Sequence, residues 1–241
     1  MQYTYDPTTQ SRLTRETRLQ IVPPGAPLYD TQYTYDNAGN RVRREELTTG
    51  CIPGSTCART DTAYDPAHQI LQTTSFELGG GPPAQIIQYQ YDPRGNLLGR
   101  QSSLGASVAE QFAYDTANRQ QGYHNLVANQ ARTYAYDALG NKVLDCDGAG
   151  ANCTGYLYDG PNVVAEYINA TATPALSATY LFGQGIAEQV ARIDPGTATV
   201  HFFLRDALGS TRAIIDQVGA VVKRYEYKAF GELYSETVSG P

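Results

Sequence analysis

Tryptophan does not occur in this 241-residue sequence, methionine occurs only at position 1, and histidine occurs three times. No apolar run approaches the roughly 18 residues that a membrane-spanning helix requires, which argues against helical membrane insertion. Basic residues are in deficit. Eighteen Lys and Arg stand against 24 Asp and Glu, giving a net charge of −6. Phosphate recognition needs a basic surface, so the charge argues against a nucleic-acid partner, and none is expected. His68, His124 and His201 are scattered, and no Ser-His-Asp or Cys-His grouping follows from their spacing. The glycines of 78-LGGGPP-83 lack the lysine and helix of a phosphate loop. No catalytic residue and no cofactor site is expected. No secretory leader opens the chain either, since 1-MQYTYDPTTQ-10 already lies inside a repeat.

Tyrosine and the turn formers are abundant, with 19 Tyr, 23 Gly and 13 Pro. The tyrosines recur in a pattern. The aromatic residue before a turn falls at Tyr5, Tyr35, Tyr64, Tyr91, Tyr114, Tyr136 and Tyr158. The series continues in weaker form at Phe182, Arg205 and Tyr227. The interval shrinks from about 30 residues to 22–24. Early insertions such as 20-QIVPPGAPLYD-30, 49-TGCIPGSTCA-58 and 77-ELGGGPPA-84 read as loops. A fixed period of this size marks a repeat architecture.

Each unit has one physical reading. Tyr-x-Tyr alternates with period two and predicts a strand. Asp-x-x-Gly predicts a type I turn closed by a left-handed residue. Asp36/Gly39, Asp92/Gly95, Asp137/Gly140 and Asp206/Gly209 are full matches. Where Gly is missing, His68, Asn118 or Asn162 stands fourth, each a type that tolerates positive φ. Alternating strands follow, as at Ile70-Leu71-Gln72. Tyr33, Tyr35, Tyr89, Tyr91, Tyr134, Tyr136, Tyr156, Tyr158, Tyr225 and Tyr227 are read as packing rungs. The fold class is all-β: about ten tandem hairpins forming one long, curved antiparallel sheet over residues 1–241. The best helical candidate, 104-LGASVAEQFAYD-115, reads equally well as a strand.

Cys51 and Cys57 bracket a Pro-Gly turn, and Cys146 and Cys153 bracket 147-DGAGAN-152. The first reading is two local disulfides, each worth about 2.4 kcal/mol in the chain-entropy model, which place the chain in an oxidising compartment. Free thiols and a four-thiolate zinc site are the alternatives. The zinc spacing is poor, because each pair is separated by five or six residues rather than two to four. Asp145, Asp147 and Asn152 lack the twelfth-position acid of a calcium loop, so no metal site is expected. The repeated Asp residues read as turn caps rather than paired acid–base groups.

The Tyr-Asp-x-x-Gly-Asn units at 35–40, 91–96 and 136–141 resemble the YD repeat of the RHS family. The segment 201-HFFLRDALGSTRAIIDQVGAVVKRYEYKAFGE-232 resembles the beginning of the RHS repeat-associated core. That division assigns 1–179 to YD repeats with loop insertions and 180–241 to the core-like segment. The resemblance implies a β-shell like those of bacterial RHS proteins, toxin complexes and teneurins. It also implies partners: other YD-repeat segments or copies of the chain itself, an encapsulated toxin domain, or a cell-surface receptor. The family's aspartyl self-cleavage segment and its toxin do not occur within these residues. The expected function is therefore a non-enzymatic wall segment of a secreted or surface bacterial protein. An adhesion or filament module assembling through exposed sheet edges is the alternative, and a remnant of a self-cleaving toxin precursor is the third.

Overall fold

The computed structural model describes residues 2–9, 11–18, 29–47, 51–54, 56–105, 107–185 and 188–238. Met1 and most of the 20–30 insertion lie outside the described residues. Those described form twenty strands of one antiparallel sheet and contain no helix. The chain gathers into two compact units. The first comprises Met1–Ala113 and His124–Asn129, and the second Tyr114–Tyr123 and Gln130–Pro241.

The first unit holds β1 (Gln2–Tyr5), β2 (Leu13–Arg18), β3 (Tyr29–Tyr35), β4 (Arg41–Glu46) and β5 (Ala58–Tyr64). It continues with β6 (Ile70–Phe76), β7 (Gln85–Tyr91), β8 (Leu97–Leu104) and β9 (Ala109–Tyr114). The candidate helix at 104–115 thus contains the last residue of β8 and all of β9. The division between the units falls within β9 and β10 (Gln120–Asn125).

The second unit continues with β11 (Gln130–Tyr136), β12 (Lys142–Asp147), β13 (Cys153–Asp159), β14 (Asn162–Ile168) and β15 (Ala175–Phe182). It ends with β16 (Gln189–Asp194), β17 (Thr199–Arg205), β18 (Thr211–Asp216), β19 (Val221–Tyr227) and β20 (Leu233–Val238). Within each unit, consecutive strands pair with one another, as in β3–β4 and β4–β5 or β13–β14 and β14–β15.

Every second connection is a YD turn, so each unit has a YD edge and an opposite edge. Each YD hairpin carries an irregularity opposite its pre-turn residue. Thr34 pairs with Arg43 but Tyr35 pairs with Arg41, leaving Val42 as an extra residue. Leu71, Leu98, Val143, Val164 and Arg212 occupy the same place in later hairpins. Such a bulge increases local twist and reverses the alternation on its strand. The post-turn strands are therefore not the simple alternating runs that Ile70-Leu71-Gln72 suggests.

Burial is shallow. The buried apolar side chains among the described residues include Leu13, Tyr33, Cys57 and a set of alanines, of which Ala178 and Ala191 are 0% exposed. The first unit also buries polar groups. Glu16 is 0% exposed, and its Oε1 accepts a 2.8 Å hydrogen bond from the hydroxyl of Tyr33. Burial, followed by this carboxylate contact, pushes the Tyr33 phenol well above its ordinary value.

Candidate functional site: the repeated turn and its tyrosine

The turn is built by backbone first. In the 36–40 turn the Gly39 N–H donates to the Asp36 carbonyl at 3.1 Å, and the Asp36 N–H donates to the Asn40 carbonyl at 3.0 Å. The same two bonds close the turns at Asp65, Asp92, Asp115, Asp137 and Asp206. The left-handed slot holds Gly39, Gly95, Gly140 and Gly209 at φ between 82° and 94°. His68 (φ 65°) and Asn118 (φ 61°) fill it elsewhere. Asn162 does not. The 159–162 turn has only two central residues, Gly160 and Pro161, and the positive φ (55°) falls on Gly160. Gly first and a residue of negative φ second is the type II′ pattern, which suits a two-residue hairpin.

The Asp side chain then locks the loop. Asp137 Oδ1 accepts from the N–H groups of Leu139 (2.9 Å) and Asn141 (2.8 Å), and its Oδ2 accepts from Asn141 Nδ2 at 2.8 Å. Asp92 has the same arrangement with Arg94 and Asn96. Asp36 is held by Asn40 and Asp206 by Leu208, Ser210 and Arg212. These donors favour the ionised form. The side-chain amides of Asn40, Asn96 and Asn141 lower Asp36, Asp92 and Asp137 below the ordinary carboxylate range, and the Arg212 guanidinium does so for Asp206. A carboxylate so occupied is poorly suited to taking a proton from a substrate.

The tyrosine before the turn has a second role, at the seam between hairpins. The β4–β5 pairing ends at Arg43–Asp61. Beyond that point the Tyr64 hydroxyl donates to the Arg41 carbonyl at 3.2 Å, where no strand partner remains. Tyr35 reaches Leu13 at 2.8 Å, Tyr136 reaches Gln120 at 2.6 Å and Tyr158 reaches Lys142 at 3.0 Å. Tyr91 hydrogen-bonds the backbone of Ile70. In each case the contact is the first residue of the previous hairpin's post-turn strand. The hydroxyl thus stands in for a ladder bond, a net gain of about 1 kcal/mol each. Phenylalanine cannot do this, and Phe182 takes the position at the β14–β15 seam.

Cations pack on the rings of both Tyr-x-Tyr positions, as Arg119 on Tyr136 and Arg212 on Tyr227 at the second. The Lys142 ammonium lies 4.9 Å from the Tyr134 ring centroid and 5.5 Å from that of Tyr156. Arg41 lies over Tyr33, and Tyr89 is paired across the strands with Arg100. Tyr225 and Tyr227 stack with centroids 6.4 Å apart. The stripe is a ladder of rings and cations.

Both cysteine pairs are disulfide-bonded in the structure. Cys146 and Cys153 are directly opposed in the β12–β13 ladder, with Cα atoms 4.1 Å apart. Cys51 and Cys57 close a loop 5.0 Å wide that rests on β4 and β5 through Glu45 and Arg59. Beside it lies a cleft of about 220 Å³ lined by Gly54, Cys57, Arg59 and Phe76, below the roughly 300 Å³ usual for a ligand site. No group of three or more His, Cys, Asp and Glu able to hold a metal ion occurs among the described residues.

The family model described as Teneurin YD-shell matches residues 1–240. Teneurin-4 of Mus musculus is 25% identical over 239 residues, covering 87% of this chain. The tRNA3(Ser)-specific nuclease WapA of Bacillus spizizenii is 25% identical over 202 residues, covering 83% of this chain. The chain spans only 8% and 7% of the length of these relatives. Among solved structures, the TcdB2-TccC3 crystal structure without its hypervariable C-terminal region matches 99% of this chain and 15% of its own, at 16% identity and TM-score 0.42. The Photorhabdus luminescens Tc holotoxin pore matches 98% of this chain and 15% of its own, at 16% identity and TM-score 0.41. By its repeated tyrosine–aspartate turns and by the match of its whole described length, the chain belongs to the Teneurin YD-shell family.

Proposed function

We propose that this chain is a non-enzymatic wall segment of a YD-repeat shell in a secreted or surface bacterial protein of RHS type. Its neighbours are other YD-repeat segments, and the wall encloses a toxin domain or presents its surface to a receptor. The carrying observation is the use made of the polar groups. The repeated carboxylates Asp36, Asp92, Asp137 and Asp206 are each engaged within their own turn, and the pre-turn tyrosines are engaged at the seams. Two disulfides support placement outside a reducing cytosol.

The test replaces Asp36, Asp92, Asp137 and Asp206 one at a time with Ala, followed by limited proteolysis mapped by mass spectrometry. The expected result is new cleavage at the altered hairpin in every case. A variant that keeps full protease resistance while losing a catalytic turnover would overturn the reading. Non-reducing peptide mapping of protein from its native source tests the compartment. Intact Cys51–Cys57 and Cys146–Cys153 are expected, and four free thiols would contradict secretion.

A further inference from the structure

The face opposite the Tyr-x-Tyr rungs differs between the units. Directly paired residues share a face, so the rows can be read across the strands. In the second unit one row runs Leu157–Ala165–Thr179–Ile193–Val200. The next runs Leu181–Ala191–Phe202–Ile215, and a third runs Leu204–Ala213–Arg224, its arginine exposed on β19. From β13 to β18 none of these residues carries a charge. Their relief is regular. Leu157, Leu181 and Leu204 are 51%, 51% and 47% exposed, and their partners Ala165, Ala191 and Ala213 are 5%, 0% and 6% exposed. Each pair repeats one hairpin further on, a spacing of roughly 10 Å.

We propose that this face seats a second copy of the chain, face to face about a two-fold axis, with the leucine knobs of one copy entering the alanine pits of the other. Two observations favour a copy over an unrelated partner. Knobs and pits come from the same three hairpins at the same spacing, so a two-fold rotation maps one set onto the other, as an isologous interface requires. The area is also sufficient. A further row, Ala135–Leu144–Gly155, brings β11 and β12 into the same face, so eight strands at about 4.8 Å and five residues of about 3.3 Å along each present roughly 650 Å² per copy, or about 1,300 Å² for a pair. A specific interface needs about 1,000 Å² or more. Apart from Arg224, at the β19 end of the third row, no charged group in these rows would be desolvated, whereas a lipid headgroup layer or an ordinary protein surface would bring charges to it.

The experiment is sedimentation velocity on the intact, oxidised chain from about 1 to 100 μM. A reversible monomer–dimer equilibrium is expected. Leu181→Asp buries an unpaired carboxylate in the interface and raises the dimer dissociation constant more than 100-fold. Gln88→Asp, on the corresponding face of the first unit, leaves it within about threefold. Far-UV circular dichroism and a thermal melt matching the wild type confirm that each variant is folded. If Leu181→Asp misfolds, Leu204→Gln replaces it, with at least a tenfold rise expected. A wild-type chain that stays monomeric at 100 μM overturns the proposal, as does a dimer that survives Leu181→Asp. So does a chain monomeric alone that floats with phosphatidylcholine vesicles in a Leu181-dependent way. Dimerisation is independent of the shell reading, so either can fail without the other.

Discussion

The two units use one hairpin plan and finish their outer rows in opposite ways. In the first unit, the row on the side away from the rungs reads Arg15–Gln32–Glu45–Arg59–Phe76. The row beside it includes Thr34–Arg43–Asp61–Thr74, and a third reads Gln72–Gln88–Gln101. Ion pairs join these groups: Arg43 to Asp61 at 2.6 Å, Arg59 to Asp61 at 3.4 Å, and Arg15 to Asp30. In the second unit the same positions from β13 to β18 hold Leu, Ala, Ile, Phe, Val and Thr, and charge returns only on β19. The residue between the two rungs is Thr34, Ala63 or Gln90 early in the chain, Ala135, Leu157, Leu181 or Leu204 later, and Glu226 in the last hairpin. Turn chemistry and seam bonds set the hairpin, and this middle position sets what the sheet can meet. The hairpin plan is indifferent to the polarity of that face, so the two can vary separately.

The sharpest way to break the comparison is to remove the disulfides one at a time. Cys51→Ala/Cys57→Ala and Cys146→Ala/Cys153→Ala should each cost about 2–4 kcal/mol. If the units are energetically separate, hydrogen exchange will accelerate in the affected unit and stay unchanged in the other. Equal acceleration in both would show a single cooperative structure.

Tyrosine hydroxyls come next. Tyr33→Phe leaves the fully buried Glu16 without the 2.8 Å donor, an expected loss of about 1–3 kcal/mol. Tyr136→Phe in the second unit removes only a seam bond to a carbonyl and should cost about 1 kcal/mol. Urea denaturation distinguishes them, and equal losses would mean that the buried carboxylate has another partner of comparable strength.

Glycine substitutions compare the turns themselves. A Cβ at Gly140 would meet nothing within 4 Å, so Gly140→Ala tests φ +91° alone, at roughly 1–2 kcal/mol. At Gly95 a Cβ would stand 2.9 Å from Gln69 Nε2. Gly95→Ala should cost somewhat more until Gln69 is shortened to Ala, after which thermal melts of the two variants should coincide.

The smallest effect per site is acid titration, and it should erase the difference between units. Asp36 and Asp92 in the first, and Asp115, Asp137 and Asp206 in the second, all lie below the ordinary carboxylate value. The stability they contribute is present above about pH 4 and is lost as pH falls through their lowered values. NMR titration should show all five still ionised at pH 4. Replacing Asn96 with Ala should move Asp92 upward and leave Asp36 and Asp137 in place.

Much of this was legible in the chain. The period, the strands and the all-β class follow from Tyr-x-Tyr and Asp-x-x-Gly, because both are local backbone statements. His68 and Asn118 were legible for the same reason. Asn162 misled because Gly160 offered a shorter turn that the four-residue template overlooks. The bulges at Val42 and Leu98 carry no residue signature. They arise from twist between two strands, which a single strand's sequence does not encode. The tyrosine's seam bond was invisible because its acceptor is a main-chain carbonyl, available at any residue type. The choice of Tyr over Phe before the turn was the one available signal. Burial of Glu16 was likewise unreadable, since a lone Glu in LTRETR gives no hint of the phenol above it. The apolar rows were legible in the middle residue of the later Tyr-x-Tyr units, Leu157, Leu181 and Leu204, before Glu226 ends the run.

The two edges also differ in what they permit. Along the YD edge most turns run five residues from Asp to the strand, with both ends tied by backbone and carboxylate. Along the other edge the connections vary freely: four residues, 126–129, between β10 and β11, eight, 77–84, between β6 and β7, and six, 169–174, between β14 and β15. An epitope tag or a whole folded domain spliced into 169–174 would leave every YD turn and every seam bond in place. The same splice at 137–141 would unlock one. The array therefore has a side on which it can be edited and a side on which it cannot.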